Sequence, residues 1–133
     1  MGSEPSHSRP AVLLVDDSTE QRNLYQMMLG ADFETLCASS GRQALLLAED
    51  HQPSVVVLDI CMPEMDGFEV CRRLKSDPVT EGIPVIILTG VEEHVRLKAL
   101  VAGAFAVLTK PCSQQKLTET ISAAIGRSAK QAI

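Results

Sequence analysis

The stretch Val55–Val70, VVVLDICMPEMDGFEV, decides how the rest of the chain is read. Its first four residues are apolar, β-branched-rich and without polar alternation, the pattern of a strand buried on both faces of a parallel sheet. An acid, Asp59, closes the run. Met62, Pro63 and Gly67 then shape a loop, and Asp66 with Glu69 has the spacing of a helix start, where a side chain satisfies orphan amides. The segment reads as a strand, a loop with an acid at its mouth, and a helix.

Working outward, the same signal recurs. Ala11–Val15, Pro84–Leu88 and Phe105–Leu108 are short apolar runs like Val55–Leu58, and a weaker strand is predicted over Glu34–Ala38. Ser18 with Gln21 and Ser40 with Gln43 repeat the capping-box spacing. After Ser40, the residues Ala44, Leu45 and Ala48 share one helix face, and Leu117, Ile121 and Ile125 form a stripe able to pack on a sheet. Pro53 and Pro78 follow two helix ends, where the chain must leave the helix. The order βαβαβαβαβα argues for an α/β sandwich of three layers around a parallel sheet.

A chain of 133 residues, 45% hydrophobic and 22% charged, is the size of one ordinary domain with one sizeable core. Its boundaries read as a loose tail over residues 1–10, a domain over 11–127 and a C-terminal tail over 128–133. A net charge of −5 argues against general nucleic-acid binding, which needs a basic face. No apolar run reaches the ~20 residues of a membrane span, and Met1–Pro10 has no apolar stretch that could serve as a secretory signal. Cys37, Cys61, Cys71 and Cys112 form no CxxC pair and no metal-ligand spacing, which fits reduced thiols in the cytoplasm. His7, His51 and His94 show no partner spacing.

What ends each strand is more informative. The first run ends in Asp16–Asp17, the third strand in Asp59, the fourth in Thr89 and the fifth in Lys110, followed by Pro111. A parallel sheet carries all of these to its carboxyl edge, where ligands of open α/β sheets bind. Each residue alone has a plainer role: a strand-end aspartate or threonine often only caps a helix, and a lysine is ordinarily solvated. The succession is what points to a site. Carboxylates ~4 Å apart repel by about 4 kcal/mol at an effective dielectric near 20, so such a cluster takes up protons or binds a cation. A hard divalent ion suits oxygen ligands, and Mg²⁺ is the usual choice where phosphate is also held. With a lysine and a hydroxyl beside it, the cluster can position and neutralise a phosphoryl group.

These residues resemble the receiver domains of bacterial two-component systems, the response regulators. The matching stretches are VLLVDDS (Val12–Ser18), VVVLDICMPEMDGFEV (Val55–Val70), IPVIILTG (Ile83–Gly90) and AGAFAVLTKP (Ala102–Pro111), covering nearly the whole chain. The resemblance implies a CheY-like fold, a five-stranded parallel sheet of order 2-1-3-4-5 with five helices. It implies that Asp59 is the phosphoacceptor, a carboxylate nucleophile. Asp17 would bind Mg²⁺ directly, Asp16 largely through water, with Asp59 and the backbone carbonyl of Cys61 as further ligands. Thr89 and Lys110 would hold phosphoryl oxygens, and a cis Lys110–Pro111 peptide would aim the lysine. The implied partner is a sensor histidine kinase or phosphotransfer protein, with homodimers through the fourth helix, fifth strand and fifth helix common among relatives. No direct nucleic-acid or membrane contact is expected.

The chain departs from the family in places. Val107 stands where an aromatic residue usually swings between buried and exposed positions, which predicts a quieter output face, or one that switches by backbone shifts of the Thr89–Glu93 loop. Cys61 and Val91 flank the phosphoryl position and neither is a base that could activate water, which predicts a long-lived phosphorylated state. Cys112 reads as a small buried apolar residue. Three other functions compete. An aspartyl-phosphate hydrolase typically needs a second aspartate where Cys61 stands. A flavin- or nucleotide-binding protein needs a phosphate loop where Asp16 and Asp17 would repel the ligand. A phosphate-independent pseudo-receiver would have no need of the intact set Asp16, Asp17, Asp59, Thr89 and Lys110.

Overall fold

Aliphatic runs form the strands, and amphipathic segments carry the chain back between them. The computed structural model describes residues 9–90 and 93–132. Among the described residues, β1 (Ala11–Val15), β2 (Glu34–Ala38), β3 (Val55–Asp59), β4 (Val85–Thr89) and β5 (Ala106–Thr109) alternate with α1 (Thr19–Leu29), α2 (Gly41–His51), α3 (Gly67–Ser76), α4 (Glu93–Val101) and α5 (Gln114–Ala132). The strands pair in parallel in the order β2-β1-β3-β4-β5. This is the architecture implied by the resemblance.

The two-residue period of a strand sends alternate side chains to two separate cores. Leu13, Val15, Val56, Leu58, Val85 and Ile87 meet α2, α3 and α4 through Ala44, Ala48, Phe68, Leu74, Val95 and Ala99. Val12, Leu14, Val55, Val57, Ile86 and Leu88 meet α1 and α5 through Tyr25, Leu29, Leu117 and Ile121. Every residue of β3 and β4 is therefore buried, which is why neither strand alternates in polarity. Fully burying one such aliphatic side chain contributes about 1.5–3 kcal/mol.

Strand ends differ from the apolar runs by a residue. β4 begins at Val85 because Pro84 has no N–H to pair. β3, β4 and β5 extend onto Asp59, Thr89 and Thr109, since ladder hydrogen bonds continue where apolarity stops.

The predicted caps form, but only by half. Ser18 and Ser40 accept from the N–H groups of Gln21 and Gln43, both at 3.2 Å, and Asp66 accepts from that of Glu69 at 2.9 Å. The return bonds of a capping box go elsewhere. Gln43 accepts from the Ser39 N–H at 2.8 Å, and the Glu69 carboxylate takes Arg72 and Arg73 at 2.6 and 2.7 Å. Gln52 ends α2 in the left-handed region, with φ 48°, and Pro53 follows. Ser113, unread in the sequence, caps α5 by accepting from the Lys116 N–H at 3.0 Å. That helix continues through Ala132, so most of the segment read as a C-terminal tail (128–133) prolongs it. Among the described residues no helix is long and apolar enough to cross a membrane.

The loop after β3 is closed by the Ile60 carbonyl, which accepts from Met62 and Gly67, each at 3.0 Å. An added Cβ on Gly67 would lie 2.6 Å from the Asp59 carbonyl oxygen and 2.8 Å from the Ile60 Cα. These are backbone atoms that cannot swing aside. Gly67→Ala is expected to cost about 1–3 kcal/mol of stability, read as a lower thermal unfolding midpoint.

Candidate functional site

Strand register assembles the site. Val15 pairs with Leu58, so the next residues, Asp16 and Asp59, reach the carboxyl edge level with each other. Asp59 pairs with Leu88, which puts Thr89 one step further along. Thr89 pairs with Thr109, and Lys110 follows. The chain leaves β1 toward the α1/α5 face and leaves β3 toward the opposite face. That divergence opens a crevice at the switch point of the sheet.

Within the crevice, the Lys110 Nζ lies 3.2 Å from Asp16 Oδ2 and 3.4 Å from Asp59 Oδ1. The other Asp16 oxygen, Oδ1, accepts from the Ser18 N–H at 2.9 Å, so this aspartate shapes the turn into α1 as well as facing the lysine. The Cys61 N–H donates to the Asp59 carboxylate. Carboxylate oxygens of Asp16, Asp17 and Asp59 lie within 4.8 Å of one another. Asp16 and Asp59 are nearly buried, at 7% and 9% exposure, whereas Asp17 is open to solvent. Thr89 is buried at the end of β4, and its carbonyl accepts from the Lys110 N–H at 2.7 Å. The Lys110–Pro111 peptide is cis, as the resemblance implies.

The charges answer to this packing. Burial raises the Asp59 pKa above the usual aspartate value, and the neighbouring Asp16 charge adds to it, against the opposing pull of Lys110 and the Cys61 N–H. Burial also works against the Lys110 ammonium, yet Asp59 and Asp16 outweigh it and hold the lysine above its ordinary value. One ammonium bridges two of the three carboxylates, which leaves an all-oxygen, net-negative donor set. A hard divalent cation fits that set in both charge and ligand chemistry.

Three contributors were not legible as site residues. The Ser18 amide is one. Arg22, from the second turn of α1, donates to the Asp16 carbonyl at 2.7 Å and to Thr19 Oγ1 at 3.1 Å. Tyr25 lines, with Arg22, Asp16 and Asp59, a small cavity beneath the crevice. Burial raises the phenol's pKa, and it also feels Lys110, Cys112, Asp16 and Asp59. Neither Arg22 nor Tyr25 belongs to a motif, and only the packing of α1 brings them here. Of the remaining expectations, Cys61 is exposed on the rim, while Met62 and Cys112 are buried. Val107 is also buried and packs with the α3 and α4 residues. Val91 and Glu92 lie outside the described residues, as does the side chain of His94.

A pH dependence follows. Because folding raises the Asp59 pKa, its protonated form favours the folded state. That contribution is fully present below the ordinary aspartate range and is lost as the pH rises through the raised value. Asp59→Asn, neutral throughout, is expected to melt above the parent at neutral pH, with the margin closing as acid protonates Asp59. Thermal unfolding from about pH 3 to pH 8 spans this window.

Comparison with known proteins agrees with this geometry. The response regulator receiver domain family matches residues 12–122. Response regulator PleD of Caulobacter vibrioides is 41% identical over 102 residues, 75% of this chain, which spans 22% of PleD. Protein PilH of Pseudomonas aeruginosa is 37% identical over 116 residues, covering 86% of this chain and 96% of PilH. The crystal structure of a receiver domain of a Pseudomonas aeruginosa sensor histidine kinase, with a magnesium ion coordinated in its active-site cleft, superposes with a TM-score of 0.83. It is 25% identical and covers 90% of this chain and 99% of that one. An acidic crevice at the carboxyl edge of a 2-1-3-4-5 sheet, with a family match over most of the chain, has one reading: the protein belongs to the response regulator receiver domain family.

Proposed function

We propose that this chain is a phosphoacceptor switch that takes a phosphoryl group onto Asp59 in a Mg²⁺-dependent reaction. The observation that carries the reading is the Lys110 bridge between Asp16 and Asp59, with Asp17 alongside. The donor would be a phosphohistidine on a sensor histidine kinase or phosphotransfer protein. An Asp59 carboxylate oxygen attacks phosphorus, the P–N bond breaks, and the departing imidazole keeps the electron pair and takes up a proton. Asp17 would hold Mg²⁺ directly and Asp16 through water, with Asp59 and the Cys61 carbonyl completing the protein's ligands. When bound, the ion neutralises charge on the phosphoryl oxygens.

Lys110 would exchange one carboxylate partner for a phosphoryl oxygen, and Thr89 would donate its hydroxyl to another. The chain catalyses only its own phosphorylation and dephosphorylation, and the cytoplasm is the compartment where its donor and reduced thiols fit together. The domain would span 11–127, with α5 running on past that limit to Ala132. Output and homodimerisation would use α4, β5 and α5, where Leu97 and Val101 stand exposed on α4. The alternative of a phosphate-independent pseudo-receiver is disfavoured by the convergence of all three aspartates with the lysine.

Incubation with acetyl phosphate and Mg²⁺, followed by intact mass, is expected to add one phosphoryl group. Asp59→Asn or chelation of the metal should abolish the addition, and Lys110→Ala should slow it by about 10²-fold. An unchanged mass in the parent protein would refute the switch.

A further inference from the structure

Arg22 is a charged side chain that turns away from solvent toward backbone. From α1 its guanidinium donates through Nη1 to the Asp16 carbonyl at 2.7 Å and through Nη2 to Thr19 Oγ1 at 3.1 Å. The side chain is half-buried and lines the cavity shared by Asp16, Asp59 and Tyr25. Two donors on one planar group fix the orientation of the peptide between Asp16 and Asp17 relative to the helix. The carboxylate of Asp16 is held separately, by the Ser18 N–H and by Lys110. Asp17 is different: it is exposed, and its backbone begins at the carbonyl that Arg22 grips. Among the described residues no hydrogen bond or ion pair holds the Asp17 side chain, whereas Arg22 holds the carbonyl of the peptide that leads into it.

We infer that Arg22 is a positioning residue for the metal-binding turn: its fork on the Asp16 carbonyl and Thr19 sets the placement of Asp17 and thereby the affinity for Mg²⁺. The inference rests on the reading that the acidic crevice takes Mg²⁺. It opposes simple electrostatics. Arg22 is a cation beside a cation site, so charge alone predicts that its removal tightens Mg²⁺ binding. Loss of a positioning contact predicts the reverse, because a partner that orients a metal ligand typically matters by ~10-fold or more in affinity. The sign of the change separates the two.

The experiment uses the full chain and Mg²⁺ as the probe. Tb³⁺ luminescence is read under excitation of Tyr25, the single tyrosine in a chain without tryptophan, and Mg²⁺ is titrated in to displace the Tb³⁺. Arg22→Met is expected to weaken Mg²⁺ about tenfold. Arg22→Lys, which keeps the charge but not the fork, should weaken it in the same direction. Thermal unfolding shows whether each variant is folded, and Arg22→Lys decides if Arg22→Met is not. Tighter or unchanged Mg²⁺ binding in the folded variants would overturn the inference and leave the Mg²⁺ site standing. A parent chain that binds no Mg²⁺ would overturn both.

Discussion

One ammonium shared between two carboxylates is the interaction on which the site depends. Two carboxylates about 4 Å apart repel by about 4 kcal/mol at an effective dielectric near 20, and here a third stands close by. Lys110 reaches both Asp16 and Asp59 from the far side of the crevice. It does not neutralise the cluster, and burial still holds Asp59 above its ordinary pKa. The residual negative charge, on oxygen ligands alone, is what makes the crevice fit a hard cation. It also concentrates the energetic cost of the site on a few buried acids, while the two aliphatic cores on either side of the sheet supply the stability that tolerates it.

The frame that presents these groups is stiff where it must be. Asp16 and Asp59 come from adjacent paired strands, and Thr89 and Lys110 from the next pair along. The turns that leave those strands are locked by hydrogen bonds: the Ser18 N–H donates to the Asp16 carboxylate on one side, and the Met62 and Gly67 N–H groups donate to the Ile60 carbonyl on the other. Glu64 adopts a positive φ of 67° in that second turn, a conformation that costs a non-glycine residue about 1–2 kcal/mol. Close approach at Gly67 brings the start of α3 against the backbone of β3, the strand that ends in Asp59. A change at Asp59 therefore has a direct mechanical neighbour in α3, which in turn packs on α4 through Phe68 and Lys98, the ammonium lying 4.6 Å from the ring centroid.

Relatives place this unit in two contexts. The chain covers nearly all of PilH and about a fifth of PleD. The matched unit thus occurs in relatives of very different length. In this chain the buried Val107 has no ring to swing, and Arg96 reaches from α4 toward its carbonyl at a long 3.5 Å. Among the described residues, α4 and β5 meet through aliphatic packing and this weak polar reach.

Much of this was written in the order of residues. Runs such as Val55–Val57 can be satisfied only by burial on both faces, and the caps at Ser18, Ser40 and Asp66 mark helix starts by local geometry, so sheet type, element order and the polar strand ends were all legible. Short-range chemistry also told that Asp16, Asp17, Asp59, Thr89 and Lys110 share an edge, because parallel strands send their carboxyl ends one way. What local pattern could not carry was anything set by a partner distant along the chain. Gln43 and Glu69 had the spacing of capping boxes, yet stronger partners claimed their side chains. Arg22 and Tyr25 look like ordinary helix residues, and only the seating of α1 on the sheet turns them toward the acids. The pKa of Asp59 likewise belongs to the tertiary structure, since burial and the nearness of Lys110, 51 residues away, arise only when the strands close ranks.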